Sequence, residues 1–410
     1  SRNKSDWIMQ LMELYKREPD GSKLKERSKG NLNADEIKFI RFAHWRIAQT
    51  GHGIVGYITS HTWLDGPIFR GMRAALLRDF DDIYVLDLHG NSNKKEKTPA
   101  AHAAHGDDKN VFDIQQGVSI LFLLRKPGDH LGQAVVHHAE FWGGRESKYQ
   151  RLDDTAFDAV AWRKLDPLLP QLPFVPINRD AWSEYERGWP VTQIFPLNSV
   201  GLLTARDEFC IQFDADSVWR TVQNFVGLDE EIARTKYKLG PDFRDWKVAW
   251  AQRDLRTGCL SRDKVVALLY RPFDVRYTYY TGQSRGFLSY PRVETMSQLL
   301  GDLDNIALVT SRLTKGEDFA HVMVTTSPAE KISLSSKTSN NGFVFPLWLL
   351  PERDTLDPAK NVRHPNLDPR YLKALADALG VSLAGPFGLP EGVTPEDIFN
   401  YVYAMLHAKI

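Results

Sequence analysis

The sequence predicts an α/β fold, and three features carry that prediction. Apolar runs of strand length alternate with helical patterns through the first 128 residues. Residues 129–345 hold many short patterns rich in Trp, Tyr and Pro, as a mixed α+β region would. Residues 346–410 end in two well-signalled helices. These stretches set three expected regions: 1–128, 129–345 and 346–410. At roughly 100–200 residues per domain, the chain holds two to four domains. Its composition is 42% hydrophobic, 25% charged and 11% aromatic, enough to build cores and to exclude general disorder.

The elements follow in order. Trp7, Ile8, Leu11, Leu14 and Tyr15 recur at helical spacing, and Pro19-Asp20-Gly21-Ser22 reads as a turn. A helix is predicted over 34–49, with Ile37, Ile40, Phe42, Ala43, Ile47 and Ala48 as its apolar members. Gly51-His52-Gly53 stops it. Residues 54–59 form a strand. Pro67 suits the first turn of a helix over 68–80, and residues 83–88 form a second strand. Strand, helix, strand at this spacing predicts a βαβ crossover in a parallel sheet. A long polar loop, 89–116, comes next. Residues 118–124 are a third strand, and Pro127-Gly128 marks the boundary.

Strands are expected at 135–140 and 209–213, and helices over 217–237 and 292–303. Pro167, Pro170, Pro173 and Pro176 make an extended stretch. An apolar run at 343–350 precedes a linker, 351–369. Helices over 369–379 and 395–406 complete the chain. The second has Thr394 as N-cap, Pro395 in the first position and Asp397 as the capping-box acid.

No stretch reaches the roughly 18 apolar residues of a membrane helix, so no membrane partner is expected. The polar opening, Ser1 to Asp6, leads into no signal core. Cys210 and Cys259 are too few for a disulfide framework or a thiolate zinc site, and both are expected as buried thiols. A cytoplasmic location fits these features.

Lys plus Arg is 52 and Asp plus Glu is 52. Zero net charge excludes a simple polybasic nucleic-acid binder but leaves room for a local basic face. Residues 244–292 supply one: ten Lys or Arg against four Asp, a local +6, interleaved with nine aromatics. Phosphates need cations, and reading bases needs Arg forks and flat rings. The candidates are Arg244, Lys247, Arg253, Arg271, Arg276, Arg285 and Arg292, with Tyr279 and Tyr280 for stacking. Residues 279–286 read as the most exposed piece. The competing reading is a solvated charged surface over an aromatic core.

Lys94 and Lys95 form a second basic spot. It follows a strand of the predicted parallel sheet, where ligands of open α/β sheets sit, and His89, Gly90 and Asn91 share that edge. His102 and His105, and the adjacent His137 and His138, lack companion carboxylates or thiols in metal spacing, so no metal site is expected. No Gly-x-Ser-x-Gly elbow, P-loop or dinucleotide fingerprint occurs, and no catalytic residue is named.

Several long strings resemble one family. They begin with Glu26-Arg27, Lys38-Phe39-Ile40-Arg41-Phe42-Ala43 and Gly53-Ile54-Val55-Gly56-Tyr57-Ile58-Thr59. Leu64-Asp65-Gly66-Pro67, Leu86-Asp87-Leu88-His89-Gly90-Asn91-Ser92 and Asn110-Val111-Phe112-Asp113 continue the likeness. So do Leu202-Leu203-Thr204-Ala205-Arg206-Asp207, Tyr270-Arg271-Pro272-Phe273-Asp274 and Pro395-Glu396-Asp397-Ile398-Phe399. The chain resembles the type ISP group of bacterial single-chain restriction–modification enzymes over nearly its whole length.

The resemblance implies a partial Rossmann-like methyltransferase sheet in 1–128, whose last strand is antiparallel and inserted beside its predecessor. It implies a mixed α+β DNA target recognition domain in 129–345 and a helical tail in 346–410. The implied parent methylates adenine N6 with S-adenosylmethionine. Its partners are double-stranded DNA and the remaining domains of the parent polypeptide. The family's Asn-Pro-Pro-Tyr, which holds a flipped adenine, and its glycine motif for the methyl donor do not occur here. Both are expected upstream of Ser1. This chain alone is therefore expected to be inactive and to bind the cofactor weakly. Two other readings stand beside this one. The chain is a stand-alone specificity subunit, or an enzyme of its own that works at the His89–Asn91 edge.

Overall fold

The structure, a computed structural model, describes residues 3–24, 30–94, 96–128, 132–301, 304–312, 314, 319–351 and 362–408. Lys95, Glu26-Arg27 and most of the predicted linker lie outside the described residues. The chain divides into two compact units, Ser1–Tyr185 and Glu186–Ile410.

The first unit is built on a five-stranded mixed sheet. Helix α1 (Asp6–Met12) and helix α2 (Asp35–Thr50) come first, and Gly51 ends α2 in the left-handed conformation that glycine tolerates, φ 75°. Strand β1 (Gly53–Ser60), helix α3 (Arg70–Asp79) and strand β2 (Asp82–Asp87) follow. Strand β3 (Val118–Arg125), strand β4 (Val135–Glu140), helix α4 (Arg145–Asp154) and strand β5 (Arg163–Leu165) complete the unit. The sheet order is β1-β3-β2-β4-β5.

The predicted crossover is present with one difference. β1 and β2 run in the same direction but do not pair. β3 lies between them and pairs antiparallel with both, from Gly53↔Arg125 to Ser60↔Val118 on one side and from Asp82↔Leu124 to Asp87↔Ser119 on the other. The sheet also continues beyond the 128 boundary, because β4 pairs parallel with β2 and β5 pairs antiparallel with β4.

Alternation assigns the faces. Leu121 and Leu123 of β3 pack with Ile83, Val85, Met72, Leu76, Ile37 and Ile40 in the larger core, while Val118 joins Leu86, Leu88 and Phe141 on a smaller one. α3 approaches the turn at Glu13–Lys16 closely. A Cβ on Gly71 would lie 2.0 Å from the Arg17 carbonyl oxygen, so this position requires glycine.

The second unit holds small antiparallel sheets among helices. Strand β6 (Ser199–Val200) and strand β7 (Ile211–Gln212) are short. Strand β8 (Val265–Arg271) and strand β9 (Asp274–Tyr279) form a hairpin, and β7 pairs with the outer side of β9. Strand β10 (Ala307–Thr310), strand β11 (Val322–Thr325) and strand β12 (Phe343–Pro346) form a second sheet, ordered β11-β10-β12-β6. Helix α5 (Ala215–Val226) and helix α6 (Val248–Thr257) cover the hairpin through Val218, Val222, Val248, Ala251 and Leu255. Helix α7 (Pro369–Leu379) and helix α8 (Pro395–His407) share a separate core with β12 through Tyr371, Leu372, Ile398, Phe399 and Phe345.

Several expectations need correction. The 217–237 helix is two helices, because Gly227 ends the first and Asp229 caps a second, Glu230–Lys236. The 292–303 helix is a short turn, Val293–Met296 with Ser297–Leu299, and Leu300 is already extended. The 209–213 strand begins as a helical turn, Asp207–Cys210. Cys210 is buried as expected, but Cys259 is exposed, in a positive-φ position after the C-cap of α6. Among the described residues, no helix is long and apolar enough to cross a membrane.

Candidate nucleic-acid interface

The basic aromatic stretch folds into two clusters. The first surrounds Trp250 on α6. Lys247, the N-cap residue of α6, places its ammonium 4.8 Å from the Trp250 ring centre, and the Arg285 guanidinium lies 5.7 Å from it. Both contacts are cation–π interactions on the ring best suited to them. Arg253, one helical turn beyond, and Arg285 are exposed. Trp250, Arg253, Asp254, Thr257, Gln283, Ser284 and Arg285 line a cavity of about 440 Å³.

Asp254 forms the buried base of this cavity. Its carboxylate accepts from the Phe287 backbone N–H at 2.8 Å and from the Thr281 hydroxyl at 2.8 Å, which ties the 281–287 loop to α6. Burial pushes the Asp254 carboxyl up, against the pull of these two hydrogen bonds. A Cβ on Gly286 would meet the Asp254 carboxylate at 2.2 Å, so glycine lets the loop close onto the acid. Arg285 is held out beside Trp250 with φ 55°.

An arm extends from this cluster. Arg244 pairs with Asp245 at 3.0 Å, the Tyr290 hydroxyl donates to Asp245 at 3.1 Å, and Arg292 lies 5.3 Å over the Tyr290 ring. Hydrogen bonding from Arg244 holds the Asp245 carboxyl below its usual range.

The second cluster sits on the β8–β9 hairpin. Arg276 pairs with Asp274 at 2.8 Å and lies between the rings of Phe213 and Tyr270, at 4.2 and 4.3 Å. Arg271 donates to Glu330 at 2.8 Å and to the Tyr270 carbonyl at 2.6 Å. Glu330 is 2% exposed, so Arg271 compensates a buried carboxylate, which is costly when left unpaired. Phe273, at the hairpin turn, is 93% exposed.

Tyr279 and Tyr280 are not an exposed stacking platform. They are 1% and 6% exposed. The Tyr279 hydroxyl accepts from the Ser261 N–H, and the Tyr280 hydroxyl donates to the Pro291 carbonyl. Their rings belong to the unit's core, packed with Phe287 and Leu268. The end of β9 carries these rings inward, and only 283–285 of the predicted loop are exposed. Lys94, in the first unit, is exposed and lies 3.7 Å from Asp65. Lys95 lies outside the described residues.

Sequence reasoning missed Trp250, Gln283 and Ser284 as site members, and Phe213 and Phe273 as exposed rings. The sequence did carry a signal for Trp250: Lys247, Trp250 and Arg253 share one helix face at i, i+3 spacing.

Residues 193–410, more than half of the chain, match the family described as the type ISP C-terminal specificity domain. The chain belongs to this type ISP specificity family. Both clusters fall inside the matched residues. The fold is similar to that of the ATP-dependent type ISP restriction–modification enzyme LlaBIII bound to DNA. There the TM-score is 0.64 and the identity 19%, over 100% of this chain and 25% of that one. A DrdV–DNA complex gives 0.63 and 21% identity, over 99% of this chain and 38% of that one. A nuclease-deletion mutant of the type ISP enzyme LlaGI, in complex with a DNA substrate mimic, gives 0.59 and 15%, over 92% and 35%. This type ISP chain thus spans well under half the length of each of these enzymes. No curated protein matches it.

Proposed function

We propose that this chain joins the DNA target-recognition region of a type ISP enzyme to the rear of its methyltransferase, in a parent that methylates adenine N6 with S-adenosylmethionine. The observation that carries the reading is the Lys247–Trp250–Arg253–Arg285 cluster within the matched residues, with Lys247 and Trp250 half-buried and Arg253 and Arg285 exposed. Lys247 and Arg253 offer cations to phosphates. Arg285 offers a fork to a base edge. The related LlaBIII and DrdV structures contain DNA.

The first unit supports the methyltransferase part. The resemblance implies a last strand that runs antiparallel beside its predecessor; β3 runs so beside β2, although β4 and β5 follow it in the sheet. β1 leaves one edge open, flanked by exposed Ile54 and Ile58 and by exposed Phe39 and Phe42 of α2. An open apolar edge fits a sheet that continues in the parent. In this reading the methyltransferase part extends past residue 128 through β4 and β5, recognition occupies the residues up to 345, and the tail from 346 supports it. The residues present do not form a methyl-donor site, because neither the glycine motif nor Asn-Pro-Pro-Tyr is among them. No transfer step is assigned to them.

Duplex binding by fluorescence anisotropy tests the reading. A random-sequence duplex should bind at low salt, and Lys247→Ala, Arg253→Ala and Arg285→Ala should each weaken it. Unchanged affinity in all three variants would move the interface elsewhere. A stand-alone specificity subunit would instead co-purify from its source cells with a separate methyltransferase chain.

A further inference from the structure

The first unit holds a second built cluster that the DNA reading does not use. His61 lies one residue past β1, and His89 lies two past β2. The sheet brings both to one end, and the loop after β2 carries Glu96 back to them. One ligand atom from each of His61, His89 and Glu96 lies within 4.8 Å of the others.

The second nitrogen of each imidazole is already assigned. His61 Nδ1 is 3.1 Å from Asp87 Oδ1, which places a proton on Nδ1 and makes Nε2 the acceptor. Asn91 Nδ2 donates to that Nε2 at 3.1 Å, a hydrogen bond that an ion on Nε2 would replace. His89 Nε2 is 3.2 Å from Glu140 Oε2. His89 Nδ1 is buried without a hydrogen-bond partner among the described residues. Its near neighbours are carboxylates, Asp87 Oδ2 at 3.7 Å and Glu96 Oε2 at 3.9 Å. Glu96 Oε1 faces His61 Nε2 at 3.9 Å.

The surroundings fix both rings. His89 stacks on Trp142 with ring centres 3.4 Å apart. A Cβ on Gly117 would lie 2.3 Å from the His61 ring, so a glycine there admits it. Two imidazoles, each oriented by a carboxylate on the far nitrogen, with a third carboxylate between their near nitrogens, is the outer-shell pattern of a metal site.

We propose that His61 Nε2, His89 Nδ1 and Glu96 bind one divalent ion of the zinc class, which clips the 89–116 loop to the end of the sheet. Imidazole and carboxylate donors suit zinc, cobalt and nickel. Zinc bonds of about 2.0–2.2 Å in a tetrahedron set donor spacings of about 3.4 Å. The 3.9 Å spacings from Glu96 need a closing of about half an ångström, and the 4.8 Å limit on the three ligand atoms sets the largest closing at about 1.4 Å.

The test is calorimetric titration of the chelator-stripped chain with zinc chloride, with cobalt absorption as a second readout. One zinc per chain should bind, and cobalt should give the visible spectrum of a nitrogen–oxygen site. Loss of outer-shell partners alone costs 10–100-fold in affinity, so removing a ligand by His89→Gln or Glu96→Gln should cost at least about tenfold. Glu96→Gln keeps an acceptor for the Asn91 N–H that Glu96 now receives, so this variant retains the loop's own hydrogen bond. Zinc should raise the unfolding midpoint of the parent chain and of His52→Gln, but not of the two ligand variants. Absence of equimolar zinc binding, or equal binding in both ligand variants, overturns the proposal. The outcome is independent of DNA binding, which the anisotropy measurement scores separately.

Discussion

The arginines of the 244–292 stretch look alike in sequence, and their surroundings set them apart. Arg285 has an aromatic face and open solvent. Arg271 has a buried acid to neutralise. Replacing Arg285 with Ala should therefore weaken DNA binding with little loss of stability. If Arg285 reads a base, specificity should relax by roughly 1–3 kcal/mol at one position. Arg271→Ala should destabilise the fold by about 3 kcal/mol, since it strands Glu330, and a thermal melt checks this. Asp254 adds a pH dependence. Its folded-state carboxyl is raised by burial, so its contribution is fully present below the unfolded pKa and is lost as pH rises through the folded value. Asp254→Asn removes that titration. The variant should gain stability relative to the parent chain on moving from pH 4 to pH 7. A parent-minus-variant difference that is flat with pH would contradict the buried-acid account. Burial of this kind was not legible in the sequence. Tyr279 and Tyr280 sit beside a polar loop, and only the pairing of β9 with β8 and β7 shows that they turn inward.

At the scale of elements, local chemistry was the better guide. Thr394, Pro395 and Asp397 predicted the start of α8, and the structure has the reciprocal capping box, with the Thr394 hydroxyl accepting from the Asp397 N–H. Thr394→Ala should cost about 1 kcal/mol, read as a lower unfolding midpoint. Apolar runs located β1, β2, β3 and β4 to within a residue or two; β2 and β3 are largely buried, while β1 keeps its apolar run although Ile54 and Ile58 are exposed. Order in the sheet was less accessible. Spacing alone predicted a crossover from β1 to β2 in a parallel sheet. Only the family resemblance anticipated an inserted antiparallel strand, since that insertion depends on a loop of nearly thirty residues with no local signal. Gly71 shows a long-range constraint of the same kind. Alanine is the better helix former, yet Gly71→Ala should destabilise the chain by about 1–3 kcal/mol, because the added methyl meets the Arg17 and Tyr15 carbonyls.

At the scale of the molecule, charge decides how the chain would meet DNA. The net charge is zero, so no global field draws the polymer in. Attraction must come from local cations, and the first cluster with its arm offers five: Arg244, Lys247, Arg253, Arg285 and Arg292. Each phosphate neutralised changes the slope of log K against log salt by about −0.9, so five contacts set a bound near −4.5. Arg244 is partly committed to Asp245, which pulls the expected slope below that bound. Removing Lys247, Arg253 and Arg285 together should flatten the slope by about 2.7 if all three meet phosphates, and by less if Arg285 reads a base. Lys94→Ala, in the other unit, should leave the slope unchanged if recognition is confined to the 244–292 stretch. A slope much steeper than the bound, or one that falls in Lys94→Ala, would place the loop after β2 on the DNA as well. It would also make the sheet edge part of the interface.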